Sequence, residues 1–82
     1  MPEAKVYIEK LEKKYSGRTV KALYDFDTNW VLAKAPLNTP GGGMDSMFLI
    51  SKSGSAIKSY LPFDNPTEYL RALDRGAFYY KR

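Results

Sequence analysis

The chain has 82 residues, a hydrophobic fraction of 44% and a net charge of +4, values that predict one folded domain over residues 1–82 and argue against disorder. Cysteine and histidine are both absent, which excludes disulfides and thiolate chemistry and removes the commonest general base and metal ligand. No apolar run approaches the roughly 20 residues that span a bilayer, and residues 1–5 lack the apolar core of a signal peptide. We therefore expect a cytoplasmic protein without a membrane span.

The first predicted element is an amphipathic helix over Ala4–Tyr15, because apolar side chains recur along it at helical spacing. Lysines and glutamates occupy the remaining surface, and we interpret the lysines as a solvated face, with a phosphate-binding edge as the alternative. Gly17 is expected to end this helix in a left-handed conformation.

Two hairpins are predicted next. The first joins a strand over Arg18–Phe26 to a strand over Trp30–Ala35 through the turn residues 27–29. The second spans Met47–Leu61 around a Ser-Gly turn at 53–54. Between them, residues 37–46 contain three consecutive glycines and predict a mobile connection that could carry Met44 to a partner. A phosphate-binding P-loop is disfavoured here because the Lys-Ser/Thr pair and the following helix are missing.

A second helix is predicted from Pro66 to Asp74, with Asn65 as N-cap, Glu68 completing a capping box, and Gly76 at the C-terminal end. We expect this helix to bury Tyr69, Leu70 and Leu73. Residues 77–82, Ala-Phe-Tyr-Tyr-Lys-Arg, predict either a short extra strand or a packed tail. An exposed aromatic-basic tail that binds nucleic acid, membrane or a protein groove is the alternative.

These elements predict an α+β domain in two layers. The sheet is expected to have four mainly antiparallel strands in near-sequential order, with both helices on one face. Asp25 and Asp27 could bind a cation or share a proton, but such a pair more often shapes a turn. The serines have no histidine to activate them, so we expect a protein that is not an enzyme and has no metal or cofactor.

Two resemblances bear on function. Ala22–Phe26, Ala-Leu-Tyr-Asp-Phe, resembles the opening motif of SH3 domains, but the acidic loop, the Trp-Trp pair and the Gly-x-x-Pro-x-x-Tyr end of that family are missing, so we interpret this match as coincidental. The layout of helix, hairpin with an inner Trp, and Phe48–Ile57 is similar to small bacterial immunity-type and PepSY-like domains and to phage accessory proteins. That resemblance implies a non-enzymatic protein that binds and blocks a protein partner, although the usual acidic surface is missing.

The leading functional hypothesis is therefore a small bacterial or phage accessory protein that binds and blocks or modulates a protein partner. Aromatic and methionine side chains supply most interface energy, and they give these candidate contacts: Trp30, Met44, Met47, Tyr60, Phe78, Tyr79 and Tyr80. The alternative is a nucleic-acid-binding domain that uses strand and tail cations: Lys21, Lys34, Lys52, Lys58, Lys81 and Arg82. Exposed sheet edges also make a homodimer an option.

Overall fold

The computed structural model describes residues 4–38, 47–53, 56–61, 63 and 65–81. Its helices are α1 (Ala4–Lys14) and α2 (Pro66–Arg75). Its strands are β1 (Ala22–Asp25), β2 (Trp30–Lys34), β3 (Met47–Ser51), β4 (Ile57–Ser59) and β5 (Ala77–Tyr80). Of the connection over residues 37–46 that was predicted to be mobile, Leu37 bridges to Arg18 and the N–H of Asn38 donates to the carbonyl of Gly17, while residues 39–46 lie outside the described residues. Gly54 and Ser55 of the second hairpin also lie outside them.

The described residues form one antiparallel sheet with the strand order β4-β3-β2-β1-β5. The first four strands are a meander, as the two predicted hairpins require. Ala77–Tyr80 then pairs with β1, so the sheet has five strands and not the predicted four, while the α+β class is confirmed. The chain reaches β5 from the opposite edge of the sheet by way of α2.

The sheet is apolar on both faces, and each face is covered by a different helix. On one face α1 contributes Tyr7 and Leu11 to a core that includes Val31, Phe48 and Ile50. On the other face α2 contributes Ala72 to a core that includes the following side chains: Phe26, Leu32, Met47, Leu49 and Tyr60. The prediction of two layers with both helices on one face was therefore wrong, and the arrangement is a three-layer sandwich.

The physical reason lies in β3, where four consecutive residues from Met47 to Ile50 are all buried. Successive side chains of a strand point to opposite faces, so a continuous apolar run needs cover on both sides. Because β4 and β5 lie at opposite edges of the sheet, the α2 connection crosses the face that α1 leaves open.

The ends of the helices differ in part from the prediction. Gly76 has φ 85° and ψ 157°, and its N–H donates to the carbonyl of Leu73, so glycine is required where α2 stops. Gly17 does not have a positive φ, so the predicted left-handed end of α1 was wrong. Asn65 and Pro66 stand at the predicted N-cap position and at the helix start, but the Asn65 side chain makes no capping hydrogen bond, so the predicted capping box is not formed.

The inward face of α2 also differs from the prediction. Ala72 is fully buried, whereas the side chain of Leu70 is 61% exposed. Arg75 fixes the C-terminal end of α2 to the sheet, because its Nη2 donates to the carbonyls of Asp25 and Phe26 at 3.0 and 2.7 Å. Ala72 lies three residues before Arg75, on the same side of the helix, whereas Leu70 lies on the outer surface.

Candidate functional site

An open cleft of about 340 Å³ lies on the α2 face of the sheet, between β2, β4 and the residue that precedes α2. We call it the aromatic cleft, because Phe26, Trp30 and Tyr60 supply most of its apolar wall. The cleft is lined by these residues: Phe26, Asp27, Trp30, Leu49, Lys58, Ser59, Tyr60 and Asn65. The structure thus brings together Trp30 and Tyr60, which the sequence proposed as contacts to a protein partner, and Lys58, which it proposed as a contact to nucleic acid.

The inner wall of the aromatic cleft is held by several contacts to Tyr60. Its ring meets that of Phe26 edge-on, with the ring centroids 5.3 Å apart. Its hydroxyl donates to the carbonyl of Asn65 at 2.9 Å, and its backbone N–H donates to the carbonyl of Met47 at 2.9 Å. With both ends of the side chain fixed and only 7% of it exposed, Tyr60 is a preformed part of the wall.

Asp27 positions Trp30 at the rim of the cleft. One carboxylate oxygen of Asp27 accepts the N–H groups of Asn29 and Trp30 at 2.7 and 2.8 Å, which closes the turn between β1 and β2. The turn role that the sequence favoured for Asp27 is therefore what its contacts provide. Asp25 is engaged separately, in an ion pair with Lys52 at 2.5 Å.

The rim carries two opposite charges that do not meet. The ammonium of Lys58 lies over the Trp30 ring, 4.6 Å from its centroid. Asp27 lines the same cleft, yet the ion pairs found within the described ranges do not include one between Lys58 and Asp27. The aromatic cleft therefore offers a cation, a carboxylate and an apolar wall at the same time.

Strand β4 adds unpaired backbone to one side of the cleft. Ala56 accepts the N–H of Ser51, and Tyr60 donates to Met47, so residues 56, 58 and 60 face β3. Because this pattern alternates along an antiparallel strand, the N–H and C=O groups of Ile57 and Ser59 point outward. Lys14 Nζ donates to the carbonyl of Ile57 at 3.3 Å, which covers half of this edge. In the part of the chain that the structure describes, no group bonds the outward amide of Ser59.

The other predicted protein-binding residues are placed elsewhere. Met47 is buried in the core beneath α2, so its predicted role as a surface contact is corrected to packing. Phe78 and Tyr79 are half-buried against the core beneath α1, on the edge strand farthest from the cleft, and Phe78 contacts Tyr7 edge-on. Tyr80 is 71% exposed on the same strand. Met44 lies outside the described residues.

Three of the candidate cations occupy neighbouring backbone positions in another part of the sheet, which we call the basic corner: Lys21, Lys34 and Lys81, together with Tyr80. Ala22 is the cross-strand partner of both Lys34 and Tyr80. The Lys21 N–H donates to the Lys34 carbonyl, and the Lys81 N–H donates to the Lys21 carbonyl, each at 2.7 Å. Lys52 and Lys58 lie away from this corner, engaged by Asp25 and Trp30 as described above. Arg82 lies outside the described residues.

The sequence alone did not identify Phe26, Ser59 or Asn65 as parts of a cleft. The Asp-Thr-Asn turn is a sequence signal that could have indicated this cleft. Asp27 accepts the N–H groups of Asn29 and Trp30, which closes the turn and holds Trp30 beside β1. For metals, the described residues contain no group of three or more carboxylates placed to hold an ion. The helices in these ranges are also too short and too polar to cross a bilayer.

Comparison of the chain with protein-family models, curated proteins and solved structures found no match. The resemblance to immunity-type and PepSY-like domains therefore stays a prediction. The interpretation that the SH3-like motif is coincidental is likewise untested by these comparisons.

Proposed function

We propose that this chain is a non-enzymatic binding domain whose partner is a protein, and that the partner inserts an extended segment into the aromatic cleft. The observation that carries the proposal is the cleft itself, in which Phe26, Trp30 and Tyr60 stand beside an edge strand with an outward backbone amide at Ser59. Such a combination suits recognition by strand addition, where main-chain hydrogen bonds supply affinity and side-chain pockets supply specificity.

The polar rim supports a peptide as the occupant. An extended segment that pairs with Ser59 would direct alternate side chains toward the cleft, because side chains alternate across a strand. One of these side chains would pack beside Tyr60 at the outer wall of the cleft, where an acidic group would meet Lys58, the residue that covers Trp30. Buried aromatic anchors surrounded by polar contacts are the usual composition of a binding hot spot.

The composition supports binding without chemistry. The chain contains no histidine or cysteine, and the carboxylate at the cleft is already used by two backbone amides. A domain of this kind acts by occupying a partner's surface, which is the mode of action implied by the resemblance to immunity-type domains. A bacterial or phage origin belongs to the same proposal.

The experiment uses Trp30 as a reporter, since it is the single tryptophan of the chain. Peptides are selected from a random displayed library against the folded protein, and their affinities are measured by Trp30 fluorescence. Ser59→Pro removes the outward N–H while leaving the hydrogen bonds to β3, because proline is tolerated on an edge strand with its nitrogen facing solvent. Ser59→Ala is the matched control that keeps the N–H.

We expect the dissociation constants of selected peptides to rise at least tenfold in Ser59→Pro and to stay within twofold in Ser59→Ala. Circular dichroism confirms that both variants are folded. Recovery of no peptide, or equal affinity of the two variants, would overturn the proposal.

A further inference from the structure

The basic corner is a second surface, on the edge of the sheet opposite to the aromatic cleft. We propose that it binds single-stranded nucleic acid, with the Tyr80 ring stacking on a base and Lys34 contacting a phosphate on the same face of the sheet. Lys21 and Lys81, the sequence neighbours of Ala22 and Tyr80, would contact phosphates where the nucleic acid passes over the end of these strands to the other face. This activity goes beyond the peptide-binding function proposed above and does not depend on it.

The first support is the position of Tyr80. It pairs with Ala22, which in turn pairs with Lys34, so the three residues form one row across β5, β1 and β2. Neighbouring strands are about 4.8 Å apart, which puts the backbones of Tyr80 and Lys34 about 10 Å apart. Ala22, between them, is buried, whereas Tyr80 is 71% exposed. An exposed ring with a cation at this distance offers a base and its phosphate separate contacts.

The second support is the state of the three lysines. Backbone hydrogen bonds hold Lys21 between Lys34 and Lys81. In the described parts of the chain, none of the three forms an ion pair. Glu12 comes near this corner, but its carboxylate accepts the backbone N–H of Val20 at 2.9 Å. The three ammonium groups are therefore available to phosphates, in a chain whose net charge is +4.

The chemistry of the corner favours a single strand over other polyanions. Stacking on an aromatic side chain requires a base that is not already stacked within a duplex, and it tolerates any sequence. A membrane surface would need several apolar side chains able to insert among lipids, whereas the corner presents one tyrosine. An acidic protein segment would form ion pairs with the lysines but has no base to stack on the Tyr80 ring.

The test is fluorescence anisotropy with a labelled thymidine oligonucleotide of about 12 residues, titrated with the full chain. If three phosphates are contacted, the logarithm of the affinity should fall with a slope of about 2 against the logarithm of salt concentration, or roughly 15-fold between 50 and 200 mM salt. We expect Tyr80→Ala to weaken binding about tenfold and Tyr80→Phe to retain it, since phenylalanine keeps the stacking face.

Lys81→Glu and Lys58→Glu form a matched pair, because they change the net charge equally at opposite edges of the sheet. We expect a loss of binding in Lys81→Glu and a small change in Lys58→Glu. Equal losses in the two variants, or equal affinities of Tyr80→Ala and Tyr80→Phe, would overturn the proposal. Tighter binding to a duplex, or to vesicles of anionic phospholipid, would also overturn it. Ser59→Pro should leave oligonucleotide binding unchanged. The peptide-binding proposal for the cleft and the nucleic-acid proposal for the basic corner can therefore fail independently of each other.

Discussion

Lys58 and Trp30 are in contact although they lie on strands that are not neighbours. Trp30 pairs with Ser51 and Lys58 pairs with Leu49, so β3 runs between them and the lysine reaches diagonally across it to place its ammonium 4.6 Å from the ring centroid. The lysine thus covers one part of the aromatic cleft, and its stem shields the ring from water.

Replacing Lys58 by alanine should expose Trp30. We expect the free energy of unfolding to fall by about 0.5–1 kcal/mol, the value typical of an exposed cation–π contact. Quenching of the Trp30 fluorescence by acrylamide should increase at the same time. Lys34→Ala, an exposed lysine of β2 away from the cleft, is the control, and an equal change in quenching there would contradict the contact.

The two glycines next to the helices should respond differently to alanine. Gly76 has φ 85° and ψ 157°, a region almost confined to glycine, so Gly76→Ala should lower the free energy of unfolding by about 1–3 kcal/mol. No neighbouring atom lies within 4 Å of the added Cβ, so the loss would come from the backbone alone. At Gly17 the Cβ would meet Leu37 at 3.9 Å, an ordinary contact, and φ is not positive. Urea denaturation should find Gly17→Ala no less stable than the wild type.

Two leucines on the two helices provide a test of the layer arrangement. Leu11 is fully buried beneath α1, so Leu11→Ala should destabilise the chain by about 2–5 kcal/mol through lost burial and a residual cavity. Leu70 lies on the outer face of α2, and Leu70→Ala should change stability by less than about 0.5 kcal/mol. Thermal and urea unfolding of the two variants measure this difference. Similar losses would mean that α2 packs with the face that the sequence predicted.

Arg75 should contribute more to the free energy of unfolding than the nearby Arg71. Arg75→Ala removes two charge-assisted hydrogen bonds to the carbonyls of Asp25 and Phe26, and because this arginine is exposed we expect a loss of about 1–2 kcal/mol. Among the described residues Arg71 pairs with Glu68 alone, on the helix surface, and Arg71→Ala should lower the free energy of unfolding by about 0.5 kcal/mol or less. The comparison is made by denaturant unfolding at one pH and salt concentration, and the reverse order would contradict the attachment of α2 to β1.

Local patterns predicted the elements of this fold well, because apolar spacing, Gly and Pro act within a few residues. The helix starting at Pro66 and the meander of four strands are of this kind. The side of the sheet that α2 covers could not be predicted in this way. It depends on the pairing of β5 with β1 and on the bonds from Arg75 to two carbonyls about 50 positions earlier in the chain. No local pattern carries that information.

In the candidate site, too, residue types could be predicted from the sequence but their spatial arrangement could not. Trp30, Lys58 and Tyr60 could be selected by residue type, but their convergence requires the register of three strands. Met47 was selected by the same criterion and is buried, because an apolar residue in a strand covered on both faces has no exposed side to occupy. Residue type places Tyr80 and Lys81 in one aromatic-basic tail, but their position beside Lys21 and Lys34 follows only from the pairing of β1 with β5.

The pairing of residue 22 with residue 80 has a consequence for local opening of the folded chain. The four strands of the meander are joined by pairings between segments close in sequence, whereas β5 is held to the sheet by its pairing with β1. When Ala77–Tyr80 detach, β1 gains an open edge, and its backbone N–H and C=O groups become available to a strand of another molecule. Strand β5 therefore protects β1 from pairing with a neighbouring chain.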